Sequence, residues 1–129
     1  MHLVDNQEDI SFAEKEIGFD PDVKSYRILI RSPYVPKKSK GGIYLSDDSR
    51  NELQKNFNIG KVIKLGPLAF IGETQQHYKV KVGDWVWYSK YERELVSGPS
   101  EYTCYFINDD RILGKIRPQD LDKILNGAI

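Results

Sequence analysis

One cysteine, two histidines, no net charge and no long apolar run: each shortage in this chain removes a class of protein. Cys104 alone can form no internal disulfide, and its place inside the apolar run Tyr102 to Ile107 suits a small buried hydrophobe in a reducing compartment better than a nucleophile. His2 stands at the terminus and His77 in a polar turn beside Tyr78, with no cysteine or carboxylate at the spacing zinc requires, so no metal is expected. Nineteen basic residues balance nineteen acidic ones, which leaves no positive field to attract nucleic acid or an anionic membrane. No stretch approaches the roughly 18 apolar residues of a membrane span, and acids occupy the N-terminal stretch where an export signal would be basic and then apolar. The expectation is a soluble, cytoplasmic protein.

Catalytic constellations are missing as well. Gly41-Gly42 lacks the lysine and serine of a phosphate-cradling loop and does not lie between a strand and a helix, so no nucleotide cofactor is expected. No serine occupies a strained glycine-flanked elbow. The pairs Asp47-Asp48 and Asp109-Asp110 read as turn residues before they read as acid and base. No catalytic residue is assigned.

What is present is the patterning of a small β protein. At 129 residues there is room for one domain with decorations. Residues 1 to 24 carry seven acids, Asp5, Glu8, Asp9, Glu14, Glu16, Asp20 and Asp22, against Lys15 and Lys24, and read as an acidic extension that is either solvated or docked on a neighbouring subunit. Within it, Ser11 and Glu14 form a capping-box pattern and Gly18 can stop the short helix between them. Tyr26 to Arg31 alternates, with Tyr26, Ile28 and Ile30 on one face and Arg27, Leu29 and Arg31 on the other, as in a half-buried strand. Pro33 and Pro36 then break pairing, and Lys37 to Asn58 is a long polar loop whose apolar content is Ile43-Tyr44-Leu45 plus a turn of helix, capped by Ser49 and Glu52, carrying Leu53 and Phe57. Further strands are expected at Ile59 to Leu65, Trp85 to Tyr88, Tyr102 to Ile107 and Ile112 to Ile116, and Pro118 opens a C-terminal helix whose Leu121, Ile124 and Leu125 share a face before Gly127. Trp85, Trp87 and Tyr88 are read as core rather than as a stacking platform for bases. Short strands at close spacing point to a small barrel.

The order of these features resembles the GroES (chaperonin-10) family. The likeness rests on Gly41-Gly42-Ile43-Tyr44-Leu45 in the long loop, the strand Gly60-Lys61-Val62-Ile63-Lys64-Leu65-Gly66, the run Lys81-Val82-Gly83-Asp84-Trp85-Val86 and the closing Asp110-Arg111-Ile112-Leu113-Gly114-Lys115-Ile116, and covers about residues 25 to 116. The aromatic style, the basic loop and the Gly66-Pro67-Leu68-Ala69-Phe70 turn look more like phage-encoded relatives, for which the compartment would be the host cytoplasm.

The resemblance implies an all-β fold: a small GroES-like β-barrel at 25–116, with a mobile loop at about 33–58, a roof hairpin at about 66–78, an N-terminal extension at 1–24 and a C-terminal extension at 117–129. It also implies a homoheptamer that caps a GroEL-type chaperonin over non-native substrate proteins, with Gly41, Gly42, Ile43, Tyr44 and Leu45 as the chaperonin-binding element. The loop would then order only on binding and add nothing to the barrel core. Tyr44 replaces the small aliphatic residue usual at the centre of the family's tripeptide. The terminal extensions, absent from the usual family member, are expected near subunit contacts. An alternative is a phage assembly or structural protein that keeps the barrel without binding a chaperonin. A zinc-dependent dehydrogenase carrying a GroES-like domain would need a dinucleotide fold and ligand cysteines, and both are missing.

Overall fold

The computed structural model describes residues 10–35, 42, 44–71, 80–96 and 102–128. Its elements are α1 (Phe12–Ile17), β1 (Arg27–Arg31), α2 (Asp47–Asn56), β2 (Ile59–Leu65), β3 (Trp85–Tyr88), β4 (Glu94–Leu95), β5 (Cys104–Asn108), β6 (Ile112–Ile116) and α3 (Pro118–Ala128). The strands form one six-stranded antiparallel sheet in the order β4-β5-β1-β2-β3-β6. The expected all-β class holds; among the described residues α-helices occur only in the two extensions and the β1–β2 connection. No described helix is long and apolar enough to cross a membrane.

The period-2 alternation of each strand divides its side chains between two faces. The inner face gathers Ile28, Ile30, Val62, Val86, Tyr88, Tyr105, Ile107 and Ile112, closed by Phe70 and Val80. Register shifts at Leu29/Ile30 and at Trp87/Tyr88 bend the strands and curl the sheet around this core. An ion pair from Glu92, just before β4, to Arg111, just before β6, ties the two edge strands' starting points together.

The outer face departs from the expectation. β1 is buried on both sides: Leu29 is as inaccessible as Ile28 and Ile30, and Arg31 is 3% exposed. Three segments that the sequence presented as decorations cover the outer face, and the first of them covers β1. Ala13 and Ile17 of α1, with Val23, pack on Leu29, Ile63 and Cys104. Val35 and Phe57, at the two ends of the β1–β2 connection, join Ile59 and Ile116 in a third cluster, against which Leu45, Leu53, Trp85, Trp87 and the α3 residues Leu121, Ile124 and Leu125 pack. Thus Tyr88 is a barrel-core residue as read, whereas Trp85 and Trp87 serve this outer layer.

The helix signals were partly right. Ser11 Oγ accepts from Glu14 N at 3.0 Å and Gly18 caps the C-terminus of α1, as its sequence indicated. The expected single turn around Ser49 is instead a ten-residue helix, because Ser46 Oγ accepts from Ser49 N and starts α2 at Asp47. α3 likewise runs through Gly127 to Ala128.

Candidate functional site

The connection between β1 and β2 is anchored at both roots. At the first, Ser32 N donates to Thr103 O at 2.8 Å and Thr103 N donates to Ser32 Oγ at 2.8 Å, which extends the β1–β5 ladder beyond the strand ends. At the second, Phe57 O accepts from Arg93 Nη1 at 2.9 Å and from Tyr88 Oη at 3.2 Å. Arg93 also donates to Tyr88 Oη at 3.0 Å and lies over the Tyr105 ring at 4.2 Å. Burial pushes the Tyr88 hydroxyl up to about 12, against the opposing pull of the Arg93 cation. A neutral tyrosine and a stacked guanidinium therefore hold the carbonyl at which the connection rejoins the barrel.

Beside the first root, Arg31 is enclosed by aromatic rings. Its guanidinium lies 4.2 Å from the centroid of Tyr34, 5.4 Å from Trp85 and 5.7 Å from Tyr102, and Tyr34 meets Tyr102 edge to face at 5.2 Å. Nη1 donates to Ser32 O at 3.0 Å, while Nε has no hydrogen-bond partner. Weakly hydrated guanidinium tolerates such a cage better than an ammonium would, so the arginine fixes Tyr34 at the start of the connection. Sequence reasoning put Arg31 on a solvated face. Only the fold brings Tyr34, Trp85 and Tyr102 together around it.

Of the five residues assigned to partner binding, Gly41 and Ile43 lie outside the described residues. Gly42 has φ +83°, where a side chain would be strained. Tyr44 is 73% exposed and Leu45 is half-buried against the outer cluster, so neighbouring side chains of this extended segment point to opposite environments. The packing of Leu45 corrects one expectation: the connection does add to the protein's apolar packing, on the outer face rather than in the barrel. The proposed roof segment is described as far as Ile71, and residues 72–79 lie outside the described set. Its beginning is fastened by Asp109, whose Oδ2 accepts from Phe70 N at 2.9 Å while Phe70 itself sits at φ 57° in the inner core. Asp109 is thus more than a local turn residue, because it spans 39 positions to hold a second turn.

The run Lys81 to Val86 has an equally local cause. Asp84 Oδ2 accepts from Lys81 N at 2.9 Å and pairs with Lys115 of β6 at 3.2 Å, while Gly83 takes φ +98° between them. A lysine-x-glycine-aspartate sequence therefore makes a tight turn that aims the chain into β3. Among the described residues no three or more histidine, cysteine or acidic side chains converge on a possible metal position.

These elements can be set beside known proteins. Residues 25–116 match the family model described as the chaperonin 10 Kd subunit. The co-chaperonin GroES of Thermotoga petrophila is 33% identical over 91 residues, covering 70% of this chain and 88% of the relative. The co-chaperonin GroES of Clostridium beijerinckii is 33% identical over 88 residues, 67% of this chain and 87% of the relative, and that of Clostridium botulinum strain Eklund 17B is 31% identical over 84 residues, 65% and 85%. The matched span begins just before β1 and ends with β6, so it takes in the whole sheet, the Asp84 turn and both roots of the connection, and leaves out α1 and α3. By that match the chain belongs to the chaperonin 10 Kd subunit family.

Proposed function

We infer that this protein is a co-chaperonin that caps a GroEL-type chaperonin ring and assists ATP-dependent folding of the non-native proteins enclosed, binding through Gly41, Gly42, Ile43, Tyr44 and Leu45. The observation that carries the reading is the family membership, reinforced by a double-rooted connection with a positive-φ glycine ahead of apolar residues. Its task is binding and enclosure, not bond chemistry.

An apolar anchor such as Leu45 contributes on the order of 1.5–3 kcal/mol when fully buried, less the cost of ordering the segment, so one connection binds weakly. Repetition corrects this. In a ring of seven subunits, each engaged connection raises the effective concentration of the next, which makes capping firm while leaving it reversible when the chaperonin changes state. Tyr44, exposed and carrying a hydroxyl, adjusts the fit, whereas Ile43 and Leu45 supply the energy.

The test is co-sedimentation with a GroEL-type chaperonin, with and without adenine nucleotide, alongside the mass of the free protein by light scattering. Nucleotide-dependent binding of a ring near seven subunits is expected, lost in Leu45→Ala and largely kept in Tyr44→Val. A folded protein that never binds the chaperonin would instead favour a barrel retained for assembly or structure.

A further inference from the structure

We propose that the C-terminal helix α3 is a latch that stows Leu45 on the outer face of its own barrel, so that the chaperonin must displace this contact to bind. The proposal rests on the co-chaperonin reading and adds a regulator to that same site.

Leu45 immediately precedes Ser46, whose hydroxyl starts α2, and both Leu45 and Leu53 of that helix pack on the third cluster. Leu121, Ile124 and Leu125 of α3 pack on the same cluster. Its buried members, Val35, Phe57, Ile59 and Ile116, come from the two ends of the connection and from the sheet. One patch thus receives the partner-binding residue and the C-terminal extension together. Leu45 cannot enter an apolar groove on another protein while it remains there.

The attachment of α3 is of a kind that can yield. Leu121, Ile124 and Leu125 are all only half-buried. Among the described residues no ion pair joins α3 to the sheet; Asp120 pairs with Arg117 at 2.7 Å, within the helix's own start. A cleft of about 560 Å³ remains beneath its first turn, bounded by Lys61, Trp85, Lys115, Ile116, Pro118 and Leu121. A helix held by partly buried apolar contacts, with space under one end, opens at lower free energy than a fully packed one. The fraction of connections with Leu45 released then sets the apparent affinity, since only released ones can bind.

Replacing Leu121 by Ser weakens the latch at a residue outside the partner-binding element. Hydrogen exchange of the free full-length protein should speed up about tenfold at residues 44–53, with little change in β1, β2 or β5. Binding to a GroEL-type chaperonin with adenine nucleotide should tighten about fivefold per connection. Asp122→Ser, on the exposed side of the same helix, should change neither. If wild type binds and Leu121→Ser exchanges faster without binding tighter, the cluster is packing alone and the latch is overturned. Unchanged exchange in a folded Leu121→Ser protein overturns it too. If wild type does not bind at all, the co-chaperonin reading falls and takes the latch with it. Should Leu121→Ser not fold, Ile124→Ala removes less packing and carries the same expectations.

Discussion

The two terminal extensions cover neighbouring parts of one outer sheet face, yet by different means. α1 and the segment after it are fastened by three kinds of interaction. Ala13, Ile17 and Val23 are buried, Lys61 pairs with Glu16, and Lys64 reaches both Asp20 Oδ1 at 2.6 Å and Pro21 O at 2.9 Å. Tyr102 Oη adds a hydrogen bond to Ile17 O at 3.3 Å. α3 brings an amphipathic stripe and no ion pair to the sheet among the described residues. The acidity of the N-terminal extension therefore has a definite use, since Glu16 and Asp20 meet Lys61 and Lys64 of β2, which the register shift opposite Leu29/Ile30 brings to the same face. The lesson is that an extension's charge pattern indicates whether it is fixed or merely laid on, because directional bonds resist the sliding that apolar contact permits.

The largest test of this contrast is a pair of truncations within the two apolar contacts. Ile17→Ala should cost about 2–5 kcal/mol, as for other buried aliphatic side chains. Leu121→Ala, at a half-buried position, should cost about 1 kcal/mol or less. Chemical denaturation of both variants measures the difference, and equal losses would remove the distinction between a fixed and a yielding extension.

A second test asks whether the β1–β2 connection has a fixed point of its own at Phe57 O. Tyr88 stays protonated in the fold to about pH 12, whereas the unfolded chain loses that proton near 10.0. Its contribution is therefore complete below pH 10 and fades as pH rises toward 12, by roughly 2–3 kcal/mol over the two units. Tyr88→Phe should remove that alkaline decline while costing about 1 kcal/mol at neutral pH for the lost hydroxyl bond, with Arg93 still holding Phe57 O. Melting curves between pH 8 and pH 12 decide it. The same alkaline slope in wild type and variant would mean that other groups govern the loss.

The smallest expected effect lies in the N-terminal ion pairs. The hydrogen bond and charge of Lys64 hold the Asp20 carboxyl below its ordinary 3.8, so its contribution exists above that value and is lost as pH falls through the lower folded value. The melting temperatures of wild type and Asp20→Asn should differ slightly at pH 7, since exposed pairs are screened, and converge once acid protonates the folded Asp20 carboxyl. A gap that widened in acid would reverse the assignment.

Strand positions were legible along the chain because alternation and turn residues are local properties. β2, β3 and β6 fall where their residues indicated, and the Asp84 turn can be read from four consecutive positions. The β1–β2 connection was less legible. Its polarity concealed a helix of ten residues, because the apolar contacts of that helix are few and lie on another part of the chain. The two-residue strand β4 carries too little pattern to be seen at all and exists through pairing with Tyr105 and Phe106.

By itself the sequence determined an all-β domain with helical ends, a glycine-preceded apolar tripeptide within a long polar connection, and the absence of a metal or nucleotide motif. Periodicity, caps and turn chemistry act over a few residues, so they are written in order along the chain. Only the tertiary structure decided that Arg31 would be buried among aromatic rings, that α1 would close the outer face of β1, and that Leu45 would share a cluster with α3. Each joins positions separated by tens of residues. Which surfaces meet there depends on the curl of the sheet and on what is left to cover it, and no local pattern records either.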